Sequence, residues 1–161
     1  MNEFDYIREN AERIIYEAGE AKAKYRKADD IIDIMAVTKT VPYEAVNVAV
    51  ESGITLLGEN RVQEYLSKRD FYDKSASVDF IGHLQTNKVK QIVPFVHMIH
   101  SVDSLRLLET INREAEKLQR RVKVLLEVHI AKEATKSGFT PEEFLSLNTK
   151  LHFHFCPSHW Q

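Results

Sequence analysis

The chain is short of cysteine, of long apolar runs and of excess charge of either sign. Cys156 is its only cysteine among 161 residues, so a disulfide framework is excluded and a reducing compartment is expected. The formal net charge of −2 gives no electrostatic reason to expect nucleic acid or a membrane surface as a partner. No apolar stretch approaches the length of a membrane span, and the N-terminal MNEFDYIREN is acidic, unlike a signal peptide. These absences predict a cytoplasmic globular protein.

Proline and glycine are also sparse, and no Pro-, Gly- or Ser-rich linker divides the chain. The length suits one ordinary domain. We therefore predict a single domain over 1–161. It comprises an N-terminal helical segment at 1–28, strand–helix units at 29–146 and a tail at 147–161.

Apolar periodicity organises the chain into one helix followed by alternating strands and helices. Spacings of three and four predict an amphipathic helix from about Glu3 to Tyr25. Short apolar runs then recur, each followed by helical spacing, at 31–39, 54–58, 78–82, 97–102 and 122–130. This alternation predicts a parallel sheet with right-handed crossovers. An open doubly wound sheet and part of an eight-unit barrel both fit, since a full barrel needs roughly 200 residues or more.

Several residues mark where helices begin and end. Gly53 is placed to end the helix after the first strand, and Asp103 could cap the helix after the fourth. Thr140 and Glu143 form a capping-box pattern around Pro141.

The stretch IMAVTKT at 34–40 ends a predicted buried strand with Lys39. In parallel α/β folds the carboxyl ends of strands are where ligands bind. A lysine amine beside low-dielectric walls can become a nucleophile toward carbonyls. The alternative is a lysine whose stem packs on the sheet while its amine extends into water. The seven residues alone leave both open.

Five blocks resemble one family. They are AVTKT (36–40), GENRVQE (58–64), FIGHLQTNK (80–88), HSVDS (100–104) and TKSGF (135–139). In this order and spacing they resemble the pyridoxal phosphate homeostasis proteins, whose barrel is like the N-terminal domain of alanine racemase. The resemblance implies an α/β fold: a parallel β/α (TIM-type) barrel, here incomplete with about five to six strands, preceded by an N-terminal helix.

The resemblance also implies a cofactor site. Lys39 matches the lysine that holds pyridoxal 5′-phosphate (PLP) as a Schiff base, and Asn60 matches an asparagine that faces the cofactor. Asn60 could instead cap a helix over 61–72. His83 is a further candidate for cofactor binding, with a structural histidine as the alternative. Lys136 could supply a second amine near the mouth, but the favoured interpretation is a solvated loop lysine. Glu59 and Glu64 are expected to act as charges at a helix N-terminus.

The tail departs from the family. The last residues, 147–161, do not match its pattern, and we find no counterpart of the loops that hold the cofactor phosphate in the family. His152, His154, Cys156 and His159 contain zinc-binding residue types, but the spacing is not a standard one and we predict no metal site. A barrel that lacks three of its eight strands would have open edges that can pair with other chains. The segment LHFHF (151–155) could be a sixth strand.

The implied function is binding, buffering and delivery of PLP rather than catalysis. No residue is a convincing second acid–base group of the kind a racemase needs. The implied partners are PLP, related B6 vitamers and PLP-accepting apoenzymes, without nucleic acid or membrane. A racemase-like Schiff-base enzyme and a remnant that binds nothing are the alternatives.

Overall fold

The structure is a computed structural model that describes residues 3–130 and 138–150. The first helix, α1, spans Asp5–Tyr25 and confirms the amphipathic helix expected from the apolar spacing. Ala11 is its buried residue, and α1 packs against the helix that follows the first strand. Among the described helices, none is both long and apolar enough to cross a membrane.

Five parallel strands form one sheet in the order of the chain. They are β1 (Met35–Val37), β2 (Leu56–Glu59), β3 (Ser77–Phe80), β4 (Met98–Val102) and β5 (Lys123–Leu126). The predicted strands are confirmed, but β1 is shorter than the run at 31–39 because β2 begins at Leu56, opposite Met35. In the part of the chain that the structure describes, β1 and β5 are outer strands and the barrel is incomplete. The possible sixth strand at 151–155 lies outside the described residues.

Helices follow the strands and supply one layer against the sheet. They are α2 (Tyr43–Glu51), α3 (Val62–Lys68), α4 (Val89–Ile92), α5 (Leu105–Lys117) and α6 (Pro141–Lys150), with 3-10 turns at Arg69–Phe71 and Thr86–Lys88. The boundary expected between 146 and 147 falls within α6. A parallel bridge joins Val128 to Phe139 beyond β5.

The core lies between the sheet and its helices. Because side chains alternate along a strand, every second residue faces the helices, and these positions are fully buried at Leu57, Phe80 and Ile99. The opposite, inner face carries Val37 and Leu125, whose exposed fractions are 51% and 48%. The inner face is therefore only partly covered within the described ranges.

The helix caps agree with the sequence at two of three places. Gly53 ends α2 with φ +102°, a conformation that favours glycine. Thr140 Oγ1 accepts the N–H of Glu143 at 3.1 Å, and a Glu143 carboxylate oxygen accepts the N–H of Thr140 at 2.9 Å. The expectation for Asp103 is wrong: Ser104 caps α5, because the helix begins one residue later.

Candidate functional site

The carboxyl ends of the parallel strands meet at one edge of the sheet, which we call the mouth. Ligands of α/β proteins bind at this edge. The fold brings the sequence-predicted residues there from three successive strands: Lys39 after β1, Asn60 after β2 and His83 after β3. Val37 is paired with Gly58, so Lys39 and Asn60, each two residues further on, follow neighbouring strands at the same level.

Lys39 occupies a tight turn, Thr38–Val41, which we call the Lys39 turn. The N–H of Val41 donates to the carbonyl of Thr38 at 3.2 Å and closes the turn. Thr40 has φ +63°, a left-handed conformation that residues other than glycine seldom adopt. Lys39 is exposed, and no hydrogen bond or ion pair joins its amine to another described residue. Within the described part of the chain, the amine is thus presented at the mouth without a competing partner.

Asn60 is half-buried and is not the cap of the next helix. The N-cap position of α3 is Arg61, and no side chain caps that helix. The side-chain oxygen of Asn60 is buried and finds no donor among residues 3–130 and 138–150. A buried polar atom without a hydrogen bond is costly, so such an atom calls for an explanation, of which a bound ligand is one. The helix-capping alternative for Asn60 does not account for this side chain.

Gly82 packs directly on the backbone of Asn60. A Cβ atom built at Gly82 would lie 2.6 Å from the Asn60 Cα and 2.7 Å from its Cβ. Glycine is therefore required by close approach of two backbones. The hydroxyl of Ser101, on β4, donates to the Gly82 carbonyl. Gly82 and Ser101 lie within the sequence blocks, but only the fold shows that they support Asn60.

His83 lies at the rim of the mouth, where 68% of its side chain is exposed. Its Nδ1 is 3.3 Å from a carboxylate oxygen of Asp103, which is itself largely buried. The carboxylate restricts the orientation of the ring, while most of the side chain remains exposed. Lys136 and Ser137 after β5, together with His152, His154, Cys156 and His159, lie outside the described residues.

A buried polar cluster lies directly behind the Lys39 turn. Glu59 is fully buried, and one of its oxygens accepts from the Thr38 hydroxyl at 2.7 Å and the Tyr72 hydroxyl at 2.5 Å. The amine of Lys68 is 3.1 Å from the same oxygen and 2.9 Å from Glu64. Burial, with the bond to Glu59, raises the pKa of Tyr72 well above its usual value. The expectation that Glu59 acts as a charge at a helix N-terminus is wrong, because Glu59 lies on β2 and is buried in the core, whereas Glu64 does lie in the first turn of α3.

Sequence reasoning also missed an acid–base cluster formed by Asp79 on β3, His100 on β4 and His97, the residue before β4. The two oxygens of Asp79 lie 3.0 Å from His97 Nδ1 and 2.8 Å from His100 Nε2. Asp79 pairs in register with Gly58 and so lies on the inner face. The alternation of side chains in VDF (78–80) could have indicated that Asp79 faces the inside of the sheet. The two histidines could not be assigned to it, because they approach Asp79 only when neighbouring strands pair. In the described ranges, no set of three or more metal-ligand side chains is arranged to hold a metal ion.

Known proteins are similar to this chain in sequence and in fold. The model of the family described as "Alanine racemase, N-terminal domain" matches residues 17–157. The pyridoxal phosphate homeostasis protein of Aquifex aeolicus (strain VF5) is 35% identical over 140 residues, which cover 86% of this chain and 61% of the relative. That of Bos taurus is 34% identical over 134 residues, covering 78% and 49%.

Two solved structures extend the comparison. A protein from Bifidobacterium adolescentis is similar with a TM-score of 0.80 at 28% identity, covering 93% of this chain and 66% of that one. PipY of Synechococcus elongatus PCC7942 with PLP bound has a TM-score of 0.70 at 29% identity, covering 84% and 63%.

The chain spans about six tenths of the length of the first of these curated relatives. The resemblance to pyridoxal phosphate homeostasis proteins and the barrel type that it implied are confirmed. Because the family match extends over most of the residues and the solved relatives share the fold, the chain belongs to the alanine racemase N-terminal domain family.

Proposed function

We propose that this chain binds PLP as a Schiff base on Lys39 and takes part in intracellular homeostasis of that cofactor. The observation that carries the proposal is the amine of Lys39, which is exposed at the mouth with no partner among the described residues. The names of the curated relatives and the PLP held by the similar PipY support it. The cofactor supplies an aldehyde, with which a lysine amine forms a C=N bond as the C=O bond breaks and water leaves.

The other residues at the mouth fit such a ligand. The buried oxygen of Asn60 is an acceptor without a donor, so a polar group of a bound ring would satisfy it without adding charge. We assign His83 to the rim of the same site, where Asp103 restricts its ring and the exposed side chain can contact the ligand. Asn60 and His83 then orient the ring, and Lys39 holds it.

The surroundings of Lys39 support a binding role without turnover. Its amine has no acid–base group hydrogen-bonded to it among the described residues, whereas proton transfer at a substrate requires a positioned acid or base. We therefore propose a non-catalytic protein of the cytoplasm that exchanges PLP or related B6 vitamers with apoenzymes. Membrane and nucleic acid have no place in this proposal.

A racemase-like Schiff-base enzyme is the second candidate. It is favoured by one observation, the acid–base cluster in which Asp79 on the inner face contacts His97 and His100. Turnover of an amino acid by the PLP-loaded protein, lost on Asp79→Asn, would favour the enzyme. An absence of turnover in a protein that binds PLP would favour the binding role.

Absorption spectroscopy tests the binding role. Purified protein is mixed with PLP, and the near-ultraviolet and visible spectrum is followed before and after reduction with borohydride. We expect an imine band in the parent, and after reduction a covalent adduct located on Lys39 by peptide mass spectrometry. Lys39→Ala should lose both signals.

The matched control is Lys74→Ala, which removes an exposed lysine from a loop away from the mouth. It should keep the band and the adduct, because Lys74 is not at the mouth. A nonspecific imine, by contrast, would form on Lys74 as readily as on Lys39. A folded parent without the band, or an adduct spread equally over surface lysines, would refute the proposal.

A further inference from the structure

The Lys39 turn has a backbone conformation that needs support. Thr40 is held at φ +63°, although side chains with a Cβ atom are disfavoured there. Strained residues of this kind persist when the surrounding structure holds them, and they concentrate at ligand sites. The neighbours of the turn therefore determine where Lys39 is presented.

Two side chains of α3 hold the turn at three of its peptide groups. The amine of Lys68 donates to the carbonyl of Thr38 at 3.1 Å and to the carbonyl of Val41 at 3.2 Å. A carboxylate oxygen of Glu64 accepts the N–H of Thr40 at 2.5 Å. These bonds attach both ends and the strained residue of the turn to one helix.

Lys68 is itself fixed by charge. Only 11% of its side chain is exposed, and its amine contacts Glu64 at 2.9 Å and Glu59 at 3.1 Å. The ammonium group also lowers the pKa of Glu64, which keeps that carboxylate ionised as an acceptor for the turn. Glu59 is held in place by the hydroxyls of Thr38 and Tyr72. The amine therefore lies at the centre of a buried network rather than in solvent.

We propose that Lys68 is a positioning residue that holds the Lys39 turn so that the Lys39 amine faces the mouth. The proposal rests on the proposed function, because positioning matters only if Lys39 forms the Schiff base. Without the ammonium group, the Val41 carbonyl loses its side-chain donor and the Thr38 carbonyl keeps only the N–H of Val41, so Thr40 can relax to ordinary dihedrals. Lys39 would then sample many orientations, and misplacement by about 1 Å can slow a reaction roughly 100-fold.

The test compares Lys68→Met with Lys68→Arg and with the matched control Lys74→Met. Stopped-flow absorbance gives the rate of imine formation with PLP per folded molecule, and the folded fraction is measured by circular dichroism. We expect Lys68→Met to react about 10- to 100-fold more slowly than the parent. Lys68→Arg should recover much of the rate because it keeps a cation with several donors, and Lys74→Met should match the parent.

A purely structural role gives a different result. If Lys68→Met lowers the melting temperature but each folded molecule reacts at the parent rate, the positioning role is overturned. Should Lys68→Met fail to fold, Glu64→Ala replaces it. Glu64→Ala removes the acceptor for Thr40, and the same slow reaction is expected; a parent rate in this variant overturns the proposal.

Hydrogen exchange measured without cofactor shows whether Lys68 supports the turn, independently of whether the protein binds PLP. In the parent, the N–H groups of Thr40 and Val41 are bonded and should exchange slowly. Lys68→Met should speed their exchange, while Lys74→Met should not. If Lys68→Met exchanges faster but the parent forms no imine, the binding role is refuted, while the role of Lys68 in supporting the turn is upheld. Unchanged exchange would refute the support itself, whatever the parent binds.

Discussion

Replacement of Gly82 by alanine tests the packing on which the position of Asn60 depends. The added methyl group would lie 2.6 Å from the Asn60 Cα and closer still to its carbonyl oxygen. Ordinary contacts between carbon atoms are about 3.5–4.0 Å, so one of the two backbones must shift by roughly 1 Å. The shift is resisted, because the N–H of Ile81 donates to the backbone carbonyl of Glu59 at 2.8 Å and the Ser101 hydroxyl donates to the Gly82 carbonyl.

We expect Gly82→Ala to lower the free energy of unfolding, because the added methyl group is forced against backbone atoms that cannot rotate away. Extra methyl groups forced into well-packed sites cost about 1–3 kcal/mol. For a chain of this size, 1 kcal/mol lowers the melting temperature by about 2–4 °C. We therefore expect Gly82→Ala to reduce the free energy of unfolding by about 1–3 kcal/mol. Under the proposed function, displacement of Asn60 should weaken PLP binding as well.

Urea unfolding followed by circular dichroism measures the effect, and Gly19→Ala is the matched control. Gly19 lies within α1, and a Cβ there has no atom within 4 Å. Alanine at such a helical site should raise the free energy of unfolding by about 1 kcal/mol, because glycine is the poorer helix former. The same chemical change should thus have opposite signs at the two positions.

The reasoning would be refuted if Gly82→Ala unfolded at the same urea concentration as the parent. A stable Gly82→Ala with weakened PLP binding would show instead that the mouth, and not the fold, absorbs the shift. Both midpoints must be compared at equal slopes, since a changed slope signals a different unfolded state.

Three further outcomes are expected. Tyr72→Phe should lower the free energy of unfolding by about 1.5–3 kcal/mol in urea titrations near neutral pH, because it removes a bond of 2.5 Å to the buried Glu59; an unchanged midpoint would contradict the network. Lys68 lowers the pKa of Glu64 below its ordinary value of 4.5, so this pair stabilises the fold above that value and the contribution is lost as pH falls through the folded pKa. Glu64→Gln should therefore lose less stability than the parent as the pH is lowered below about 4.5, and parallel pH curves would speak against the pair. Ser104→Ala should lower the free energy of unfolding by about 0.5–1 kcal/mol in thermal or urea unfolding, because it removes the α5 cap. An unchanged stability would show that Ser104 is not the residue that caps α5.

The residues at the mouth show how much of the site could be predicted from local sequence patterns. The blocks placed Lys39, Asn60 and His83 at the ends of successive strands, because parallel strands present their carboxyl ends at one edge. Their roles as cofactor-binding residues stay predictions, and so does the division of the chain into 1–28, 29–146 and 147–161. The alternative role of Asn60 as a helix cap failed because α3 begins two residues later.

The sequence by itself determined the order and type of the elements. Apolar runs alternating with helical spacing are local signals, so one helix followed by parallel strand–helix units could be read without a structure. The capping box at Thr140 and the turn at Gly53 are equally local, since each involves residues within a few positions.

Tertiary structure alone decided which polar groups meet. Glu59 pairs with Lys68 and Tyr72, and Asp79 with His97 and His100, across separations of 9–21 residues that no local pattern specifies. Glu59 lies inside because strand alternation turns it toward α3, and its charge is tolerated there only because an amine and two hydroxyls converge on it. The contacts that hold the Lys39 turn are of the same kind. They depend on the placement of α3 against β1, which the helix-side core between these elements determines.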